Sequence, residues 1–129
     1  MEIEAHILYA VARRAGVSSV IFGHFTTGGA EADFTALLCA LTRSQPEFST
    51  PGARAFPGAP IFYVSAESYP AWFKIAHQAG IERSAVCLVD TDGTGRIDPE
   101  ALANAIAVDS VNGKFPVMML QLRVRPTPA

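Results

Sequence analysis

Two cysteines in 129 residues, Cys39 and Cys87, are too few and too far apart for a disulfide framework or a zinc site. Charge is equally sparse. Only 17% of residues are charged and the formal net charge is −2, which offers no electrostatic footprint for nucleic acid or an anionic lipid surface. No stretch reaches the roughly 18 uncharged apolar residues of a membrane-spanning helix. Glu2 and Glu4 stand where a secretory signal would carry positive charge. These absences lead us to expect a cytoplasmic protein with reduced thiols, acting on neither membrane nor nucleic acid.

What is abundant is apolar surface. Half of the residues are hydrophobic and the mean hydropathy is +0.24, high for a chain with room for one ordinary domain. A domain this small leaves much of its surface in water, so the excess implies a cover: more polypeptide or a dimer partner.

The apolar positions fall into a regular alternation. Ile3, Ile7, Leu8, Val11 and Ala12 have amphipathic helical spacing over residues 2–15, with Gly16 as a stop. Phe34, Leu37, Leu38 and Leu41 mark a second helix over about 30–43. Residues 44–60, with Pro46, Pro51, Pro57 and Pro60, form an irregular connection. Ile61-Phe62-Tyr63-Val64-Ser65, Ala85-Val86-Cys87-Leu88-Val89 and Phe115-Pro116-Val117-Met118-Met119-Leu120 are continuous apolar strands. Between them lie helices over about 70–79, ended by Gly80, and 98–109, opened by Asp98-Pro99-Glu100. Buried-type strands alternating with helices predict an α/β layer around a mostly parallel sheet.

The chemistry concentrates in one turn. Gly28-Gly29 at a helix start can aim free backbone N–H groups at an anion, with the helix dipole adding to the field. Alone, such a turn is more often just a tight turn. It is neither G-x-G-x-x-G nor a P-loop. Its context is more specific. His24-Phe25-Thr26-Thr27-Gly28-Gly29-Ala30-Glu31-Ala32-Asp33 resembles the F-T-S-G-G-(T/S/A)-E-A-N signature of the group II pyridoxal-phosphate (PLP) dependent amino-acid decarboxylases, which include the aromatic-amino-acid and glutamate decarboxylases. In the same order, Tyr63-Val64-Ser65-Ala66-Glu67-Ser68 with Phe73-Lys74-Ile75-Ala76 resembles the segment around that family's ring-stacking residue. Gly95-Arg96-Ile97-Asp98-Pro99-Glu100-Ala101-Leu102 resembles its G-R-M-D-P-x-x-L.

The resemblance implies the following. Residues 1–120 would be part of the large domain of the aspartate-aminotransferase-like (fold type I) PLP enzymes. Thr27, Gly28, Gly29 and Ala30 would hold the phosphate of pyridoxal 5'-phosphate, and Tyr69 would take the place of the stacking histidine. Tyrosine can stack on a pyridine ring, but it cannot move a proton as imidazole does. Asp33 replaces the signature asparagine. An amino-acid substrate, a carboxy-lyase reaction and a homodimer are implied in the same way. The substrate's side chain is not legible here.

The family's Schiff-base lysine and pyridine-nitrogen carboxylate, which the chemistry needs, lie further along than this chain runs. Lys74 and Lys114 are its only lysines, and neither matches. The chain alone is therefore expected to be inactive. Residues 121–129 depart from the family's A-T-A-G-T-T-N-x-G. Codons exist for them that spell Thr-Ala-Gly-Thr-Thr-Asn-Ala-Gly in another frame, so we read an out-of-frame tail, which the gene's DNA sequence checks.

Other readings stay in view. Asp90-Thr91-Asp92-Gly93-Thr94-Gly95 begins like an EF-hand loop, but its twelfth position is Ala101, so a strand–turn–helix connection is preferred to a calcium site. His24 either packs or approaches the cofactor; Trp72 and His77 read as packing residues, and Glu31 suits the helix dipole as well as a site. The different class of reading is a non-catalytic α/β module that binds a phosphorylated ligand or a full-length homologue.

Overall fold

The computed structural model describes residues 2–17, 23–68 and 70–120. They form four α-helices, α1 (Glu2–Arg14), α2 (Gly29–Ser44), α3 (Ala71–Gln78) and α4 (Pro99–Val111), and three strands, β1 (Pro60–Ser65), β2 (Val86–Val89) and β3 (Phe115–Leu120). The chain divides into two compact units, Met1–Ala32 and Asp33–Ala129. In the first, Glu4 ties α1 to the segment before α2, its Oε1 accepting from the Phe25 N–H at 3.1 Å.

The second unit holds a parallel sheet of order β2-β1-β3. Every residue of β1 is buried, which explains why its sequence shows no polar alternation. Phe62 and Val64 project from one face into a core with Trp72, Ile75 and Ala76 of α3 and Leu37 and Leu41 of α2. The Phe62 and Trp72 rings meet edge to face, centroids 5.9 Å apart. Ile61 and Tyr63 project from the other face into a second cluster with Val89, Ile97, Leu102 and Ile106. Thus α3 and α4 cover opposite faces. Chirality requires it: β1 to β2 steps one way across the sheet and β2 to β3 steps back over β1, so right-handed crossovers put their helices on opposite sides.

Local sequence accounts for the boundaries. Asp98 caps α4, its carboxylate accepting the Glu100 N–H at 2.9 Å with Pro99 following. Gly80 follows α3 at φ +71, a conformation other residues rarely hold. The irregular connection before β1 contains two short 3-10 turns, Pro46–Ser49 and Gly52–Ala55. On β3 the register slips opposite Ile61/Phe62, so that Pro116 pairs with Ile61 but Met118 with Phe62. Pro116 has no N–H for the ladder, and an edge strand with a bulge is where proline is tolerated. The 121–129 tail reading lies outside the described residues.

One polar chain crosses the face under α4. Tyr63, 1% exposed, donates its hydroxyl proton to Asp109 Oδ2 at 3.2 Å, and Asp109 Oδ1 lies 2.9 Å from Lys114 Nζ. Burial, then the Asp109 charge, raises the Tyr63 phenol well above the ordinary tyrosine range. A folded-state pKa raised above the unfolded value stabilises fully below the unfolded value, near 10, and that contribution is lost as pH rises beyond it. Urea midpoints should therefore fall between about pH 9 and 11 in the native chain, and much less in Tyr63→Phe. Equal falls in both would place the alkaline sensitivity elsewhere.

Candidate functional site

The Gly28-Gly29 turn is built by its neighbours. The Gly28 carbonyl accepts the Ala32 N–H at 3.1 Å, so Gly28 is the N-cap residue and Gly29 and Ala30 form the first helical turn. Their N–H groups have no carbonyl one turn back to reach. The Thr26 hydroxyl donates to the Gly28 carbonyl at 3.2 Å. Glu31 reaches back over the turn, taking the Thr27 N–H at 2.7 Å and also its hydroxyl proton. That pairing lowers the Glu31 pKa: the Thr27 hydroxyl is the main cause, its N–H the next, with a small contribution from the charge of His24.

These bonds divide the sequence-stated site residues. Both Thr27 donors are committed to Glu31, so Thr27 and Glu31 hold the turn's shape. Gly28, Gly29 and Ala30 are left to offer amides. The two glycines have no positive φ, and a Cβ at either would meet nothing within 4 Å. Neither the backbone nor the packing of the described residues requires glycine there. A group seated against the amides would. The donor set, consecutive amides at the positive end of a 16-residue helix, suits a phosphate. His24 is exposed beside the turn.

A second location follows from topology. The order β2-β1-β3 reverses at β1, and ligands of open α/β sheets bind outside the carboxyl ends of the strands at such a switch point, here β1 and its neighbour β3. The Ala66 N–H donates to the Val89 carbonyl at 2.8 Å and the Ser68 N–H to the Ser65 carbonyl at 2.8 Å, closing the end of β1 into a turn. Ser65 Oγ accepts the Glu67 N–H at 3.2 Å. The Ser68 Oγ is buried with no partner among the described residues. Sequence reasoning passed over Ser68; its only signal was its place beside Tyr69. Tyr69 itself lies outside the described residues.

The acidic loop after β2 is a connection. Asp92 Oδ1 accepts from the Thr94 N–H at 2.8 Å, the Thr94 hydroxyl at 2.7 Å and the Arg96 N–H at 3.0 Å, which lowers its pKa, chiefly through the Thr94 hydroxyl. With Asp98 capping α4, those carboxylates serve the turn. Lys74 is exposed on α3 beside Phe73, whose ring carries the Arg83 guanidinium 4.5 Å from its centroid. Lys114 is held by Asp109 next to the amino end of β3. Neither lysine stands at the carboxyl ends of β1 and β2.

No family model matches the sequence. An acidic amino acid decarboxylase of Bos taurus is 30% identical over 97 residues, which is 75% of this chain and 18% of that protein. The crystal structure of mouse CSAD superposes with a TM-score of 0.84 at 25% identity, covering 92% of this chain and 24% of that one. Oryza sativa TDC, solved with PLP and tryptamine, superposes with a TM-score of 0.72 at 19% identity, covering 92% and 27%. The chain spans about a fifth to a quarter of the length of these proteins.

Proposed function

We propose that this chain, which belongs with the group II pyridoxal-phosphate-dependent decarboxylases as a partial fold type I large domain, keeps that family's phosphate cradle without the residues that complete catalysis. The observation that carries the reading is the Gly28-Gly29 turn, where glycines that nothing in the described chain requires open a helix with outward amides. Gly28, Gly29 and Ala30 would bind the phosphate through backbone N–H groups. Thr27 and Glu31 would fix the turn; Thr27 adds its hydroxyl only if Glu31 lets go. Tyr69, by its match to the family's position, would stack on the ring.

When bound, pyridoxal phosphate supplies an electron sink for the charge left by a departing carboxylate. This chain's own part would be to bind the cofactor and exclude water from one side. An amino-acid substrate, a homodimer and a cytoplasmic setting belong to the same proposal. Lys74 is exposed on a helix flank, Lys114 is paired with Asp109, and neither matches the family's Schiff-base position, which supports a chain that does not hold the cofactor covalently in this site.

The test is equilibrium dialysis of the purified chain with pyridoxal phosphate, followed by borohydride reduction and mass spectrometry. We expect saturable binding that dialysis reverses, competition by inorganic phosphate, and no stoichiometric lysine adduct. A stoichiometric adduct at Lys74 or Lys114, or no saturable binding, overturns the proposal.

A further inference from the structure

A separate cavity of about 330 Å³ opens at the amino edge of the sheet, the opposite end from Ser65 and Ser68. That volume is at the small end of the range for ligand pockets. Its floor is apolar: Phe56, Ile61 and Ile81 are 8%, 1% and 5% exposed. Its rim carries Arg54, Glu82 and Lys114.

The Lys114 ammonium is a fixed feature of that rim. Asp109, only 7% exposed, holds it at 2.9 Å and is itself held by the Tyr63 hydroxyl. An ammonium has three donors, and Asp109 uses one. Arg54 is exposed and makes no ion pair among the described residues. The Arg54 guanidinium and the N–H donors that Lys114 has left over from Asp109, set around an apolar floor, match a carboxylate with a hydrophobic body. Glu82, whose carboxylate accepts the Ser84 hydroxyl at 3.0 Å, adds a negative charge to the rim, which disfavours a ligand carrying two.

We infer that this cavity is a binding site for a small monocarboxylate with an apolar body, anchored by Arg54 and Lys114 over Phe56, Ile61 and Ile81. The site is independent of the cofactor proposal, since it shares no residue with the Gly28-Gly29 turn or the carboxyl end of β1.

The probe is 3-phenylpropionate, titrated into the isotope-labelled full chain and followed by amide chemical shifts. Saturable shifts at Gly58, Ile81 and Lys114 are expected, with a Kd of about a millimolar for a ligand this small. The neutral 3-phenylpropionamide and inorganic phosphate should each bind at least about tenfold more weakly, and Arg54→Ala should weaken 3-phenylpropionate about tenfold. Because Arg54 is exposed, its variant should keep the native urea midpoint, separating lost binding from lost fold. Absence of saturation, shifts centred elsewhere, an amide or phosphate that binds as well as the acid, or an indifferent Arg54→Ala variant each overturns the inference.

Discussion

Gly58→Ala is expected to destabilise the second unit by about 3 kcal/mol or more, seen as a collapse of the urea midpoint. A Cβ at Gly58 would stand 1.9 Å from the Gly113 carbonyl oxygen and 3.0 Å from its carbon. Both are backbone atoms, so no side chain can swing aside. Nor is the backbone there free to yield. Gly113 sits at φ +74, the Lys114 N–H is bonded to the Asp109 carbonyl at 2.9 Å, and the Phe115 N–H to the Ala59 carbonyl at 2.8 Å. Relief of the clash would cost the end of α4 or the start of the β1–β3 pairing. Gly93→Ala is the control: with negative φ and nothing near its Cβ, it should change the stability by less than about 0.5 kcal/mol. Equal midpoints for the two variants would show that the chains do not touch at Gly58.

The second large effect separates stability from binding. Gly29→Ala should leave the fold intact or stabilise it by several tenths of a kcal/mol, since alanine outperforms glycine in a helix and has room here. Affinity for pyridoxal phosphate should nevertheless drop at least about tenfold, because the methyl group occupies space that a phosphate against the amides must enter. Gly28→Ala should behave likewise in binding. Equilibrium dialysis beside urea titration reads both quantities. If binding survives both substitutions, these glycines do not approach the phosphate.

The α/β alternation was legible because its signals are local. Uninterrupted apolar runs marked three strands, Asp98-Pro99-Glu100 marked the start of α4, and Gly80 marked the end of α3. The resemblance carried the family for a similar reason, since its motifs lie in connections at the ends of strands and helices. What escaped depends on distant pairs. Asp109 sits in an otherwise apolar stretch of α4, and nothing local says that Tyr63, 46 positions earlier, donates to it. The contact of Gly58 with Gly113 is equally invisible, as is the cavity whose rim draws on Arg54, Glu82 and Lys114. At the turn, Thr27 reads from sequence as a phosphate donor, and only geometry adds that Glu31 competes for its N–H and hydroxyl. The register slip of β3 was not legible either, because it depends on the pairing with β1.

The burial of β1 on both faces bears on how this chain folds. Its six residues contact α3 on one side and α4 on the other, and both neighbouring strands pair with it. Neither crossover can bury its own apolar face without β1, and β1 is dry only when both are docked. The second unit should therefore open as one cooperative block, with no half surviving alone. In native-state hydrogen exchange, the β1 amides should be the last to exchange, at a rate set by global unfolding.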